Sequence, residues 1–318
     1  MNIFHDISEI NRDKNTFLTL GTFDGIHLGH RKIIDKLIGR SRSENGRNFL
    51  ITFDPHPRNV ISKNADFKIL STPAEKAIVL EKLGIMNLLV INFTTEFSQQ
   101  TAEEFFKSYI IDRIGIREIV IGYDHHFGKG RGGDESTLRE MGKQYRFGVA
   151  TVDAFRLNGE IVSSTKIRKA LFEGDIKTAG SYLGRHYEFS GLVIEGDRRG
   201  RELGFPTANI KPDNEYKLLP ALGIYLVGFY VNNRNHFGLL SIGKRPTFYN
   251  SGKIVPEVYI YDFDDDIYDR MVKVTILERL RGEEKFSSAD ELIKQMRIDK
   301  QTGLEIIRNI EPINKIVK

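Results

Sequence analysis

Five short apolar runs, each followed by a segment of helical period, constrain the fold of this chain more than any other feature. They are "FLTLG" (17–21), "NFLITF" (48–53), "NLLVINF" (87–93), "REIVIG" (117–122) and "GVATVDAF" (148–155). Each is short, β-branched and nearly continuous, the pattern of a strand buried on both faces of a parallel sheet. The segments between them are amphipathic. "HRKIIDKLIGRS" sets Ile33, Ile34, Leu37 and Ile38 on one face. "TPAEKAIVLEKLG" opens on Thr72, Pro73 and Glu75, a capping box with proline at the first helical position, and closes at Gly84. "TAEEFFKSYIIDRIG" repeats the device with Thr101, Glu104 and Gly115. Repeated βα units predict an α/β domain on a doubly wound parallel sheet, with ligands at the carboxyl ends of its strands.

Near residue 185 the grammar changes. "EFSGLVIEG", "GIYLVGFYVNN", "NHFGLLSIG", "PEVYIYDF" and "RMVKVTILERL" follow one another as strands, separated by polar turns such as "NNRN" and "DFDDD". One helix remains, "SADELIKQMRIDKQTGLEIIRNI". The expectation is a small antiparallel β-barrel closed by a terminal helix. The change of period puts the domains at 1–184 and 185–318.

Composition narrows the function classes. At 318 residues, with 40% apolar side chains, the chain is long enough for two domains with cores of their own. It has no cysteine, which excludes disulfides, zinc ribbons and thiol catalysis. The N-terminus lacks the apolar core of a signal peptide, and no run approaches a membrane span, so a cytoplasmic protein without a membrane partner is expected. The net charge of +4 comes from scattered Lys and Arg rather than a basic stripe. That argues against a nucleic-acid partner and suits small anionic substrates such as nucleotides.

"GTFDGIHLGH" (21–30) leaves the first of those strands and enters a helix, where phosphates bind in such sheets. Gly21, Gly25 and Gly29 let backbone amides approach an anion, and His27 and His30 face one space from the loop and the first turn. Preorganised donors of that kind stabilise a charged transition state by about 3 kcal/mol each. The pattern resembles the histidine–x–glycine–histidine signature of the nucleotidylyltransferase superfamily, most of all its flavin-synthesising branch. "TFDPHP" (52–57), "IGYDHHFGKGRGGD" (121–134) and "VSSTKIRKAL" (162–171) agree with it. The resemblance implies a Rossmann-like domain in which Gly21, Phe23, Asp24, Gly29 and Asp124 contact ATP. Ser163, Ser164, Thr165 and Arg168 would hold its pyrophosphate, and His56 and Pro57 would touch the flavin. The commoner family version carries Phe-Arg where this chain has His125-His126. A competing G-x-G-x-x-G at Gly128, Gly130 and Gly133 starts six residues past a strand, too late for a dinucleotide fingerprint.

"GLVIEGDRRGRELGFPTANI" (191–210) is glycine-rich and basic, then turns through Gly204-Phe205-Pro206 into Thr207-Ala208-Asn209. Thr207 and Asn209 alternate along an extended segment, so both oxygens face one side and suit Mg²⁺. This string is similar to riboflavin kinase, and so are "SIGKRPTF" (241–248), "PEVYIYDFDDDIYDRMVKV" (256–274) and "LRGEEKFSSADELIKQMRID" (280–299). The resemblance implies Glu257 as catalytic base, Thr207 and Asn209 as metal ligands, and Gly196, Arg201, Gly204, Phe205, Pro206 and Arg281 around ATP and flavin. The chain departs from the common pattern at Ser241, Tyr259 and Gly282. Two decoys fall away on chemistry. Gly238–Lys244 reads as a P-loop but is followed by Arg245 and Pro246. Asp262, Asp264, Asp265 and Asp266 form a solvated turn between strands rather than a metal cage.

Together the resemblances cover residues 17 to 300. They imply phosphorylation of riboflavin to FMN in the barrel and adenylylation of FMN to FAD in the first domain, with ATP as co-substrate. A different phosphate ester adenylylated beside a merely flavin-sensing barrel is the alternative. An RNA-binding role is a third, which nothing in the sequence requires. Oligomeric state stays open.

Overall fold

The computed structural model describes residues 1–62, 66–196, 200, 204–244 and 254–309. They fall into two compact units, Met1–Ser164 and Thr165–Lys318.

The first unit holds a six-stranded, all-parallel sheet in the order β1-β4-β3-β2-β5-β6. Its strands are β1 (Asn2–Phe4), β2 (Thr16–Leu20), β3 (Arg47–Asp54), β4 (Asn87–Asn92), β5 (Glu118–Gly122) and β6 (Gly148–Val152). The five expected strands are present within a few residues of their apolar runs; the edge strand β1 was not anticipated, being only three residues long. Chain order runs outward on one side of β2 through β3 and β4, and on the other side through β5 and β6. The order therefore reverses beside β2, and the loop leaving β2 opens onto that crevice.

Alternate residues of each strand feed two cores. Leu18, Leu20, Phe49, Ile51, Ile119 and Ile121 pack to one side with Phe106, Ile110 and Ile114. Phe17, Leu50, Leu88 and Val120 pack to the other with Ile34, Leu37 and Leu80. Fully burying such a side chain contributes about 2 kcal/mol. The helices are α1 (Leu28–Ser43), α2 (Pro57–Ile61), α3 (Pro73–Leu83), α4 (Ala102–Phe105) and α5 (Glu135–Tyr145). Both capping boxes form, and Gly84 ends α3 in the left-handed region. The helix expected to run on to Gly115 widens into a π-helix over Phe106–Ile114, ending with Gly115 N–H donating to the Ile110 carbonyl. Gly128 and Gly133 are explained by packing: a Cβ at either would strike Ala102 at the start of α4. A short hairpin, β7 (Arg156–Leu157) and β8 (Glu160–Ile161), precedes the second unit.

That unit takes in α6 (Ser164–Glu173) from its second residue and α7 (Ile176–Leu183), about twenty residues ahead of the change of period. Long-range bonds tie these helices to the chain that follows: Ala221 N–H donates to the Leu171 carbonyl at 2.9 Å, and Arg279 Nη1 to the Glu173 carbonyl at 3.4 Å. The six strands after them close into an antiparallel barrel in the order β10-β13-β12-β11-β14-β9. They are β9 (Tyr187–Ile194), β10 (Thr207–Pro212), β11 (Gly223–Val231), β12 (Arg234–Lys244), β13 (Ile254–Ile260) and β14 (Met271–Arg281). Strict alternation along β9 turns Tyr187, Phe189 and Val193 inward beside Tyr225, Phe229, Leu240, Val258 and Val274. The terminal helix α8 (Ala289–Asn309) lays Leu304 and Ile307 over Leu226, Leu239 and Tyr261 on the outside. Gly238–Lys244 lies within strand β12 rather than in a loop, unlike a P-loop. Among the described residues no group of three or more His, Cys, Asp or Glu could hold a metal, and Asp266 caps its own turn by accepting from Tyr268 N–H.

Candidate functional sites

The loop leaving β2 is built around left-handed backbone. Phe23 (φ 44°), Gly25 (φ 84°) and Ile26 (φ 39°) all have positive φ. For a non-glycine residue that conformation costs about 1–3 kcal/mol. Burial of both side chains offsets it, since Phe23 and Ile26 lie in the core beside α1. Phe23 anchors the loop in that core, and its ring edge meets His30 at 5.1 Å. Asp24 is also turned inward. Its carboxylate accepts from Leu70 N–H at 2.9 Å and Ser71 N–H at 3.1 Å, and Ser71 Oγ accepts from Gly25 N–H at 3.0 Å. Asp24 ties the loop to the segment before α3, a structural duty the sequence did not reveal.

His27 caps α1, with Nδ1 accepting from His30 N–H at 3.3 Å. A neutral ring accepting at Nδ1 carries its proton on Nε2, where it is a donor. The His27 and His30 rings stack with centroids 3.7 Å apart and planes 18° from parallel. Gly29 makes room for this, since a Cβ there would sit 3.1 Å from the His27 ring. The same Cβ would be 3.6 Å from the Val162 carbonyl, and Ser164 Oγ donates to the Asp24 carbonyl at 2.9 Å. The structure thus brings Gly21, Asp24, His27, Gly29, His30 and Ser164 into one neighbourhood at the carboxyl end of the sheet. Ser163 immediately precedes α6, Thr165 is exposed on its first turn, and Arg168 is buried one turn on.

His56 and Pro57 follow β3. His56 caps α2 by accepting from Arg58 N–H at 3.2 Å, and its ring lies 4.6 Å from that of Phe67. Phe67, with Arg58 over its face at 5.0 Å, went unremarked in the sequence because no periodic pattern contains it. Asp124 is exposed just past β5, beside the half-exposed Tyr123. His125 stacks on Phe127 at 5.6 Å, and burial pushes its imidazole down to about pH 4, so it is neutral at physiological pH.

In the barrel, strand register assembles the second cluster. Asn209 faces Glu257 and Thr207 faces Tyr259 across β10 and β13, while Ser241 faces Glu257 from β12. Thr207 Oγ1 donates to Glu257 Oε2 at 3.4 Å. Gly196 lies directly on Asn209, and a Cβ there would overlap the amide. Gly204 makes its turn at φ 80°, Pro206 is exposed, and Phe205 packs edge-on against Tyr259 at 5.1 Å. Tyr259 also accepts from Lys300 Nζ on α8 at 3.0 Å, a link between helix and site that sequence order concealed. Arg201, with Arg198, Arg199, Arg245 and Pro246, lies outside the described residues. Arg281 is already engaged. It makes a bidentate pair with Asp299 of α8 at 2.8 and 3.0 Å, with Phe286 5.7 Å beneath its guanidinium.

Two family models match the chain, FAD synthetase over residues 9–166 and riboflavin kinase over residues 183–307. Among curated proteins, the bifunctional riboflavin kinase/FMN adenylyltransferase of Listeria monocytogenes is 37% identical, over 94% of this chain and 95% of its own. The protein of the same description from Bacillus subtilis is 35% identical over 92% and 93%, and that of Escherichia coli 31% over 97% of each. A solved structure from Streptococcus pneumoniae, described as a macrolide-efflux protein, superposes with a TM-score of 0.85 at 31% identity, covering 97% of this chain and 99% of that one. Among the described residues no helix is long and apolar enough to cross a membrane. With both halves matched in order and relatives above 30% identity over nearly the full length, this chain belongs to the bifunctional riboflavin kinase/FMN adenylyltransferase family.

Proposed function

We propose that the chain makes FAD from riboflavin in two ATP-dependent steps, one in each unit. In the barrel, the terminal hydroxyl oxygen of the ribityl chain attacks the γ-phosphorus of ATP. Its proton passes to the Glu257 carboxylate, and ADP leaves. Such a base contributes roughly 10²–10⁴ in rate. Thr207 and Asn209 offer neutral oxygens beside that carboxylate, a hard-oxygen set that fits Mg²⁺. When bound, the ion would neutralise polyphosphate charge, and Gly196 keeps the Asn209 amide in place for it. Phe205 and Tyr259 form an aromatic wall beside the base.

In the first unit, an FMN phosphate oxygen attacks the α-phosphorus of a second ATP and pyrophosphate leaves. No covalent enzyme intermediate is needed. The Nε2–H of His27 and the imidazole of His30 would donate to the phosphoryl oxygens as their charge rises. Gly21 and Gly29 admit the phosphates to the backbone, and Asp24 and Phe23 hold the loop. Ser163, Ser164, Thr165 and Arg168 would receive the departing pyrophosphate, Asp124 would contact the nucleotide, and His56 with Pro57 would meet the flavin. We place both reactions in the cytoplasm.

The observation that carries this reading is the stacked His27–His30 pair at the point of strand-order reversal, in a chain whose other unit pairs Glu257 with Thr207 and Asn209. The test is to incubate the protein with riboflavin, ATP and Mg²⁺ and separate the flavins by chromatography. Wild type should form FMN and then FAD, while Glu257→Ala should form FAD only from supplied FMN. Untouched riboflavin with continued adenylylation of FMN would make the barrel a sensing domain. A wild type that alters neither flavin would refute the reading.

A further inference from the structure

Lys76 lies on α3 and carries no motif, yet its position is unusual for a lysine. It is 5% exposed. Lysines normally keep the ammonium in water and bury only the stem. Here Nζ reaches under the loop that follows β2, donating to the Thr22 carbonyl at 2.7 Å and to Thr52 Oγ1 at 3.0 Å. Thr52 Oγ1 in turn donates to the same Thr22 carbonyl at 3.1 Å. The three groups close a ring that joins the end of β2 to β3, one residue ahead of the left-handed stretch beginning at Phe23.

Burial lowers the pKa of this lysine, and the carboxylates of Asp24 and Asp54 act against that effect. A methionine of similar length would fill the space, but it would take a charged donor from the Thr22 carbonyl and a neighbouring cation from the buried Asp24 carboxylate, so it should cost some stability. The ammonium thus ties β2 to β3, and its place directly beneath the histidine loop gives that tie a functional consequence. The loop above it holds two non-glycine residues in strained backbone and presents His27 and His30, whose stacking leaves little tolerance. A charge in a low-dielectric interior at this end of the sheet also acts at longer range than one in water.

We propose that Lys76 is a positioning residue for nucleotidyl transfer: its buried ammonium locks the Thr22 carbonyl to β3 and holds the His27–His30 turn in working geometry. This rests on the adenylylation assigned above to the first unit. Lys76→Met should lower kcat for converting FMN to FAD by roughly 10- to 100-fold, the loss expected from a sub-ångström misplacement of catalytic groups. The KM for ATP should stay within about threefold of wild type, because the phosphate-binding backbone itself remains. Phosphorylation of riboflavin by the same protein should be unchanged, and the loss of FMN adenylylation should persist at temperatures well below the variant's thermal midpoint. Lys76→Gln, which keeps an N–H donor of shorter reach, should recover part of the rate, and it carries the test if the methionine variant does not fold. Wild-type kcat in either variant would overturn the proposal. So would a loss of rate that follows a lowered thermal midpoint and disappears on cooling, since that is the mark of a purely structural residue. A wild type that forms no FAD from FMN would instead fell the adenylylation reading, and the inference with it.

Discussion

Gly29 and His125 show how single residues set the chemistry of the first unit. A methyl group at Gly29 would press on the His27 ring from 3.1 Å, so either the ring or the first turn of α1 must move. Gly29→Ala should therefore cut FMN adenylylation at least tenfold while riboflavin phosphorylation continues; equal rates for the variant and wild type would show that the stacked geometry is dispensable. His125 bears on stability. Its Nε2 is buried without a hydrogen-bond partner among the described residues, and its folded pKa is depressed to about 4 from 6.5. Between those values the unfolded chain binds a proton that the folded chain does not, so stability is full above about pH 6.5 and falls as pH drops towards 4. His125→Phe removes both the titration and the orphaned nitrogen. Its thermal midpoint should exceed that of wild type by more at pH 5 than at pH 7.5, and equal differences at the two pH values would contradict the depressed pKa. The motif residues were legible in the sequence because their chemistry depends on spacing. Asp24 and Phe23 were legible only as members of the motif. Which way each side chain turned depended on the amides of Leu70 and Ser71 and on the α1 core, far away in sequence.

At the scale of elements, local signals were reliable where the physics is local. Thr72, Pro73, Glu75 and Gly84 bound α3 as expected, because capping is settled within one turn. The same logic did not foresee the widened ladder over Phe106–Ile114, which a matching capping box at Thr101 precedes. The clearest tertiary decision is the attachment of α8. Arg281, which the resemblance sets beside flavin or phosphate, is held from α8 by Asp299, whose side chain is 6% exposed. Asp299→Ala would leave a largely buried guanidinium without its carboxylate, at a cost of roughly 3 kcal/mol. Denaturant unfolding of the barrel should register that loss, and an unchanged midpoint would show the pair to be incidental. Lys300 reaches Tyr259 from the same helix, so loosening α8 should also raise the KM for riboflavin.

At the scale of the molecule, each unit has its own core and its own cluster of reactive groups. FMN is the product of one and the substrate of the other. Glu257→Ala and His30→Ala proteins, each unable to convert riboflavin to FAD alone, should do so when mixed, because FMN released by the second reaches the first. If the mixture stays inactive while each variant retains its other half-reaction, transfer within one chain is obligatory. The sequence by itself determined the parallel sheet, the following barrel and the loops that carry chemistry, since burial on both faces, strand alternation, caps and glycine turns are written in neighbouring residues. Only the tertiary structure decided the division at Ser164, the inward turn of Asp24, the commitment of Arg281 and the place of Lys76 beneath the histidine loop. Each of these depends on a partner dozens of residues away or on another element, and such pairings come into being only when the chain has folded.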